Sequence, residues 1–470
     1  MRACSDEGRW AEEEFGGASM GDVRRTQRAV MMATMVALRP AGKVTEVFTK
    51  PADQEGAYRY FRSPRVDDEE VARSVHASAA RRCRGQPFAY VPADGSSLNL
   101  TDRTGRKGLG QVGTNDFSAR GVQVMTAIAV TPEGTPQGIT GQVFWSRKPR
   151  RKRRSREQRA RASTKSKETQ RWLDVMEQTG KAFQEAAPQT RPWFQLDRGG
   201  DGWPIFVAAA QADAWLTVRS CWDRRLVKEP GAARSSMLRE RVKRQEPLGD
   251  FLLDVPAARN RTARVATMQV RACRVILDLR DLRTGRCHPT AVWAVSTTEI
   301  SGVPRGQERL HWLLLTTYPA TDLESAVAVV FGYAQRWRIE DFHRTWKTGN
   351  CRVEDSQLRA FQHVVRWATI LASVAMRIER LKHLSRTQPD LPATVEFTQA
   401  EIDAAIILSK PKNYRRGDVP TIGEVVLWVA RQGGYTGKSS GGPPGSIVIA
   451  RGMRRIEVLA EVLTDGESEI

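Results

Sequence analysis

The stretch YAQRWRIEDFHRTWKTG, from position 333, sets a carboxylate among several cations, with bulky aromatic residues on either side. On a helix at about 100° per residue, with Tyr333 at zero, Arg336 falls at about −60°, Glu340 at about −20° and Lys347 at about −40°. These four polar groups therefore share one narrow face, with His343 and Arg344 flanking it. One explanation is a solvent face laced with ion pairs, each worth about 0.3–0.5 kcal/mol. The other is an acid that holds a divalent cation while its neighbours hold phosphates. Two further acids bear on the choice. Asp102 in NLTDRTG and Asp197 in WFQLDRGGD each end a strand-like run. Taken singly, either fits a turn or a helix cap. Converging at one sheet edge beside Glu340, they form a three-carboxylate site. Hard oxygen ligands of this kind suit Mg²⁺ or Mn²⁺ rather than zinc. Two such ions about 3.5–4 Å apart serve an in-line displacement at a phosphodiester.

The whole chain supports a polyanionic partner. It has 470 residues, with 74 Lys and Arg against 53 Asp and Glu, a formal net charge of +21. That excess points to DNA or RNA, with a merely basic surface or a ribosome-associated protein as the alternative. Six scattered cysteines with no C-x-x-C pair argue against a zinc knuckle or a disulfide framework and suit reduced, buried thiols. No secretory h-region and no run of about 18 apolar residues is present, so a cytoplasmic protein with no membrane contact is expected.

The elements that must position these residues read as three domains. Residues 1–75 form a helical N-terminal unit in which Asp22 caps a helix over VRRTQRAVMMATMVAL and Pro40 stops it. Residues 76–384 form an α/β core with a β-rich insertion at about 225–310, and residues 385–470 a helical C-terminal domain. SSLNLTD reads as a strand ending in an acid, and residues 322–347 and 355–383 as long helices. The block RKPRRKRRSREQRAR, from Arg147, reads as an arm of like charge, exposed or phosphate-binding.

The signature Y-x-x-R-x-x-x-E-x-x-x-x-x-x-K, met by Tyr333, Arg336, Glu340 and Lys347, resembles that of the insertion-sequence-four family of bacterial DDE transposases. GDVRRTQRAV, QEGAYRYFRSP, HWLLLTTYP and PTIGEVVLWVARQGGY extend the likeness over nearly the whole chain. The resemblance implies a ribonuclease-H-like catalytic core between a DNA-end-binding domain and a dimerisation domain. It implies Asp102, Asp197 and Glu340 as catalytic metal ligands, with two Mg²⁺ ions. It implies that Tyr333, Arg336 and Lys347 grip phosphates, and that Arg219, His343 and Arg344 line the same DNA. Trp312 would wedge where a base flips, with core packing as the alternative. Arg24, Arg25 and Arg28 would recognise the ends, with a solvated helix face as the alternative. The implied activity is cut-and-paste transposition by a nucleoid-associated homodimer: binding of terminal inverted repeats on double-stranded DNA, metal-dependent cleavage through a hairpin, and joining of 3′ ends to target DNA. A non-catalytic DNA-binding relative or inhibitor, and a metal-dependent nuclease without strand transfer, are the alternatives. One departure is plain: the family's first acid sits in D-T-T, whereas here Asp102 is followed by Arg103 and Thr104.

Overall fold

The computed structural model describes residues 9–102, 105, 107–113, 119–147, 163–164, 167–228, 235–255, 261–438 and 442–467. Arg103 and residues 148–162, most of the basic block, lie outside the described residues. Arg147, at its start, is held by Glu168 through two hydrogen bonds of 2.5 and 2.8 Å.

The N-terminal unit is helical: α1 (Arg9–Phe15), α2 (Val23–Leu38), α3 (Val44–Val47), α4 (Pro51–Arg62) and α5 (Asp68–Arg81). Asp22 caps α2 as its sequence suggests, its side chain accepting from the Arg24 amide. Ten strands then build one sheet: β1 (Phe88–Asn99), β2 (Gly110–Gln111), β3 (Arg120–Val130), β4 (Pro136–Trp145), β5 (Arg191–Leu196), β6 (Trp215–Arg219), β7 (Gly249–Val255), β8 (Arg264–Arg280), β9 (Cys287–Ser301) and β10 (His311–Thr316). Their order is β2-β3-β1-β5-β6-β10-β9-β8-β7, with β4 paired to β3. β1, β3 and β4 run antiparallel, whereas β1, β5 and β6 are parallel neighbours. An antiparallel meander leading into two parallel strands, with helices on both faces, is the ribonuclease-H-like arrangement. The β-rich insertion is no separate body, because β9 pairs with β10 and extends the core sheet.

Alternation along the strands divides the core into two layers. Tyr90, Leu98, Trp193 and Leu314 pack with the helices Leu323–Ala334 and Trp337–Lys347 and with the long helix Phe361–Thr387. Ala89, Val91, Phe194 and Leu216 face the other way, onto α5 and the helices Thr169–Ala186 and Trp203–Gln211. The helix before the signature lies close on β1 because Gly332 has no side chain: a Cβ there would come within 2.3 Å of the Tyr90 ring. A third core joins the helices Gln399–Ser409, Ile422–Gln432 and Ser446–Glu467. At Gly452 a Cβ would sit 1.7 Å from the Val429 carbonyl oxygen, so the last two helices cross backbone against backbone.

Two expectations need correction. The segment from 322 to 347 is not one helix. It is Leu323–Ala334 followed by Trp337–Lys347, joined by a tightened turn in which the Arg336, Arg338 and Ile339 amides donate three residues back. The thiols are not all buried either: Cys83, Cys273 and Cys351 are, but Cys287 is exposed.

Side chains of the long helix fasten the N-terminal unit to the core, Arg366 with the most bonds alongside Gln362 and Trp367. Arg366, on the long helix, is 6% exposed. It donates to the Phe61, Ser63 and Val66 carbonyls at 2.7–2.9 Å and to Asp68 at 2.5 Å. It thereby satisfies carbonyls that the end of α4 leaves open. Replacing it strands several buried acceptors and one carboxylate. Arg366→Met is therefore expected to destabilise the protein by about 3–5 kcal/mol, read as a lower urea midpoint.

Candidate active site

Strand register brings the first two acids together. β1 and β5 pair in parallel, Phe88 opposite Arg191 through to Pro92 opposite Gln195. Carried on for two residues, that register sets Asp94 level with Asp197, about 4.8 Å away across the sheet. Both point to the face that carries Tyr90 and Trp193, the one covered by the helix Trp337–Lys347. Glu340 comes from that helix. The Arg336 guanidinium ties the group, donating to Asp94 Oδ2 at 2.6 Å and to Glu340 Oε1 at 2.5 Å.

Electrostatics report the same crowding. The Asp94 carboxyl is pushed up to about 6, chiefly by burial and further by the negative charges of Asp197 and Glu340, against the pull of Arg336. Glu340 stays 48% exposed, so the cluster opens to solvent on the helix side. An acid that prefers its proton beside two more acids marks a place short of positive charge. All the donors are hard oxygens, and a divalent cation fits them.

Asp102 is not brought to this cluster. β1 starts at Phe88, eight residues before the strand read from sequence, and remains extended to Leu100, whose amide donates to the Arg120 carbonyl. Leu100 is thus about 20 Å along the strand from Asp94. Asp102 lies beyond it in a loop, where it accepts from the Lys107 amide. The sequence reading did not single out Asp94. Its signal was faint but present: Asp94-Gly95-Ser96 places small residues after an acid, closer to D-T-T than Asp102-Arg103-Thr104 does.

The other expected residues divide into near, buried and distant. Lys347 reaches over β1, 3.4 Å from Ser96 Oγ and 3.6 Å from Glu354, two residues along from Asp94 on the same face. Arg219 ends β6 beside the buried Tyr333 hydroxyl and helps hold it in place. Trp312 is 5% exposed, edge-on to Tyr333 at 5.2 Å and to Trp337 at 6.2 Å. The more exposed ring is Trp337, with the Arg261 guanidinium 5.0 Å above it. Arg344 is exposed and pairs with Asp341 at 3.2 Å. His343 turns inward beside the stacked Phe342 and Trp346 rings and cannot line a surface groove as it stands. On α2, Arg24 is exposed, Arg25 donates to the Met20 carbonyl at 2.5 Å, and Arg28 lies over Gly56 of α4.

A second group of ligand atoms, from Asp341, Glu379 and His383, lies within 4.8 Å of one another. The Lys382 ammonium already sits between two of them, 3.3 Å from Asp341 and paired with Glu379. The protein's own cation holds that position.

Three family models match the chain: one described as Transposase DNA-binding over residues 7–66, one as Transposase DDE domain over 140–377, and one as Transposase Tn5 dimerisation domain over 373–468. With the DDE model spanning just over half its length, the chain belongs to the DDE transposases. The flanking matches place it with the Tn5-like members of the insertion-sequence-four family, DNA-binding and metal-dependent as that class is. The DDE match includes Asp197 and Glu340 but begins after both Asp94 and Asp102, so geometry alone separates the latter two. No described helix is long and apolar enough to cross a membrane.

Burial and the charges of Lys347 and Arg336 push the His343 imidazole down to about 3. Unfolding restores its ordinary value of 6.5, so the unfolded chain takes up the proton first as pH falls. The stability tied to this group is complete above pH 6.5 and is lost toward pH 3. A His343→Gln variant is expected to show a shallower acid limb in denaturant midpoints across that window.

Proposed function

We propose that this chain is a cut-and-paste DNA transposase whose metal-binding carboxylates are Asp94, Asp197 and Glu340. The observation that carries the reading is that the β1–β5 register, extended by two residues, sets Asp94 beside Asp197 next to a helix acid, with one guanidinium spanning Asp94 and Glu340. Magnesium or manganese ions, two per site, supply Lewis-acid polarisation of the scissile phosphate and a more acidic attacking hydroxyl when bound.

The chain's own groups do the positioning. Arg336, freed from its carboxylates, turns to a phosphate oxygen of the strand being cut. Lys347, held over Ser96, meets the next phosphate. The Arg219–Tyr333 pair forms the wall on the β6 side, and Trp312 is the prop against which the more open Trp337 rests. A ring at that position can fill the gap left by a base turned out of the stack, as a hairpin step requires. Arg24, with Arg25 and Arg28 behind it, faces the terminal repeats, and the C-terminal helices join two protomers. Because nicking, hairpin closure, reopening and joining are all in-line phosphoryl transfers, one site serves each in turn. Phosphate contacts make end binding fall steeply with salt.

Asp94→Asn, Asp197→Asn and Glu340→Gln are each expected to lower Mg²⁺-dependent nicking of an end-containing duplex about a thousandfold or more, with end binding kept within about threefold. Asp102→Asn should nick within about threefold of the unsubstituted chain. Gel assays of nicking and of band shift read both. Normal cutting by Asp94→Asn beside an inactive Asp102→Asn would transfer the first position to Asp102. Supplying a precut end with a 3′-hydroxyl and a plasmid target separates transposase from nuclease, since only strand transfer yields joined products.

A further inference from the structure

A cavity of about 500 Å³ lies where the three units meet, between α1 and α2, the long helix Phe361–Thr387, and the C-terminal helices Gln399–Ser409 and Ser446–Glu467. Its charge runs against that of the whole chain. Glu13, Glu396, Glu401, Glu457 and Glu461 line it, against Arg82, Arg377 and Arg380. The arginines are engaged: Arg82 with Glu14 at 2.5 Å and Glu13 at 3.6 Å, Arg380 with Glu396 at 2.6 Å, and Arg377 with Glu401 at 2.7 Å and Glu457 at 2.9 Å. Arg377 also lies 5.3 Å over the Trp10 ring. Arg377 meets only one of the two Glu457 oxygens. Glu457 is 7% exposed, and its Oε2 is buried without a hydrogen-bond partner. Glu461 lines the same cavity and is exposed.

A buried carboxylate oxygen with no donor is costly and calls for one. We propose that this cavity binds a small aliphatic diamine or polyamine, one primary ammonium meeting Glu457 and another reaching Glu461. An ammonium supplies both the missing donor and the compensating charge. The methylene chain between ammonium groups suits the apolar wall made by Met31, Met35, Leu38 and Phe397. A metal ion does not answer the same need. Among the described residues, the only group with ligand atoms close enough for one ion is Asp341, Glu379 and His383, and none of these lines this cavity. The Glu457 carboxyl is pushed up to about 8, by burial first and by Glu401, against the pull of Arg377. An ammonium binds the ionised form, so affinity rises as pH passes through that value.

The test is titration calorimetry and thermal melting of the full-length, DNA-free chain with 1,4-diaminobutane and with spermidine, using 1,4-butanediol as the uncharged match. A protein of net charge +21 repels diamines in general, so saturable binding must come from a local site. The expected result is one-to-one binding and an upward melting shift with the amines, none with the diol, and tighter binding at pH 9 than at pH 7. Glu457→Gln should weaken binding about tenfold or more, and the exposed Glu461→Gln, which leaves the fold intact, by a smaller factor. Absence of saturable binding by the unsubstituted chain, equal binding of the diol, or undiminished affinity in both variants overturns the proposal.

Discussion

Like charges set side by side on one face of a sheet repel, and a chain holds them there only with positive charge close at hand. The pairing of β1 with β5 runs to Pro92 and Gln195, and its extension by two residues sets Asp94 and Asp197 side by side. Glu340 is delivered by a helix whose packing on β1 depends on residues remote from the acids, Gly332 among them. Arg336 is the internal answer to this crowding, yet it leaves Asp94 holding its proton well above the ordinary carboxylate range. The site is therefore built with a deficit of positive charge that the protein does not itself make good. Around it the chain is strongly cationic. On the function proposed above, an ion on the acids and a phosphate strand on the cations would satisfy complementary needs.

What could be read from the chain and what could not differ for physical reasons. Asp197 was legible because a short apolar strand runs into it and a glycine-rich turn follows. Glu340 was legible because its partners recur at helical spacing. Asp94 was hidden in VPADGSS, whose proline, aspartate and glycine read as a turn. Pairing on both sides, with β3 and with β5, overrides that local preference and carries the strand straight through. The break at Gln335 and Arg336 had no proline or glycine to announce it. Arg336 keeps right-handed torsions, and only the hydrogen-bond pattern tightens. His343 looked like a surface cation among cations, but Ile339, Phe342 and Trp346 set the buried stripe of that helix, and position 343 falls within it.

The β-rich insertion was legible as strands but not in its attachment. Because β9 joins the sheet at β10, the insertion forms a wall of the site. Trp312 on β10 and Arg261 before β8 both meet the signature segment through Trp337.

The long helix Phe361–Thr387 runs for 27 residues without a proline or glycine, about 40 Å of continuous rod. Its first half is clasped to the N-terminal unit through Arg366, and its second half enters the dimerisation match through Arg377. A rod shared in this way works as a ruler. When two chains associate through their C-terminal helices, this unbroken rod sets how far each N-terminal unit stands from the partner, a length no hinge within it can alter.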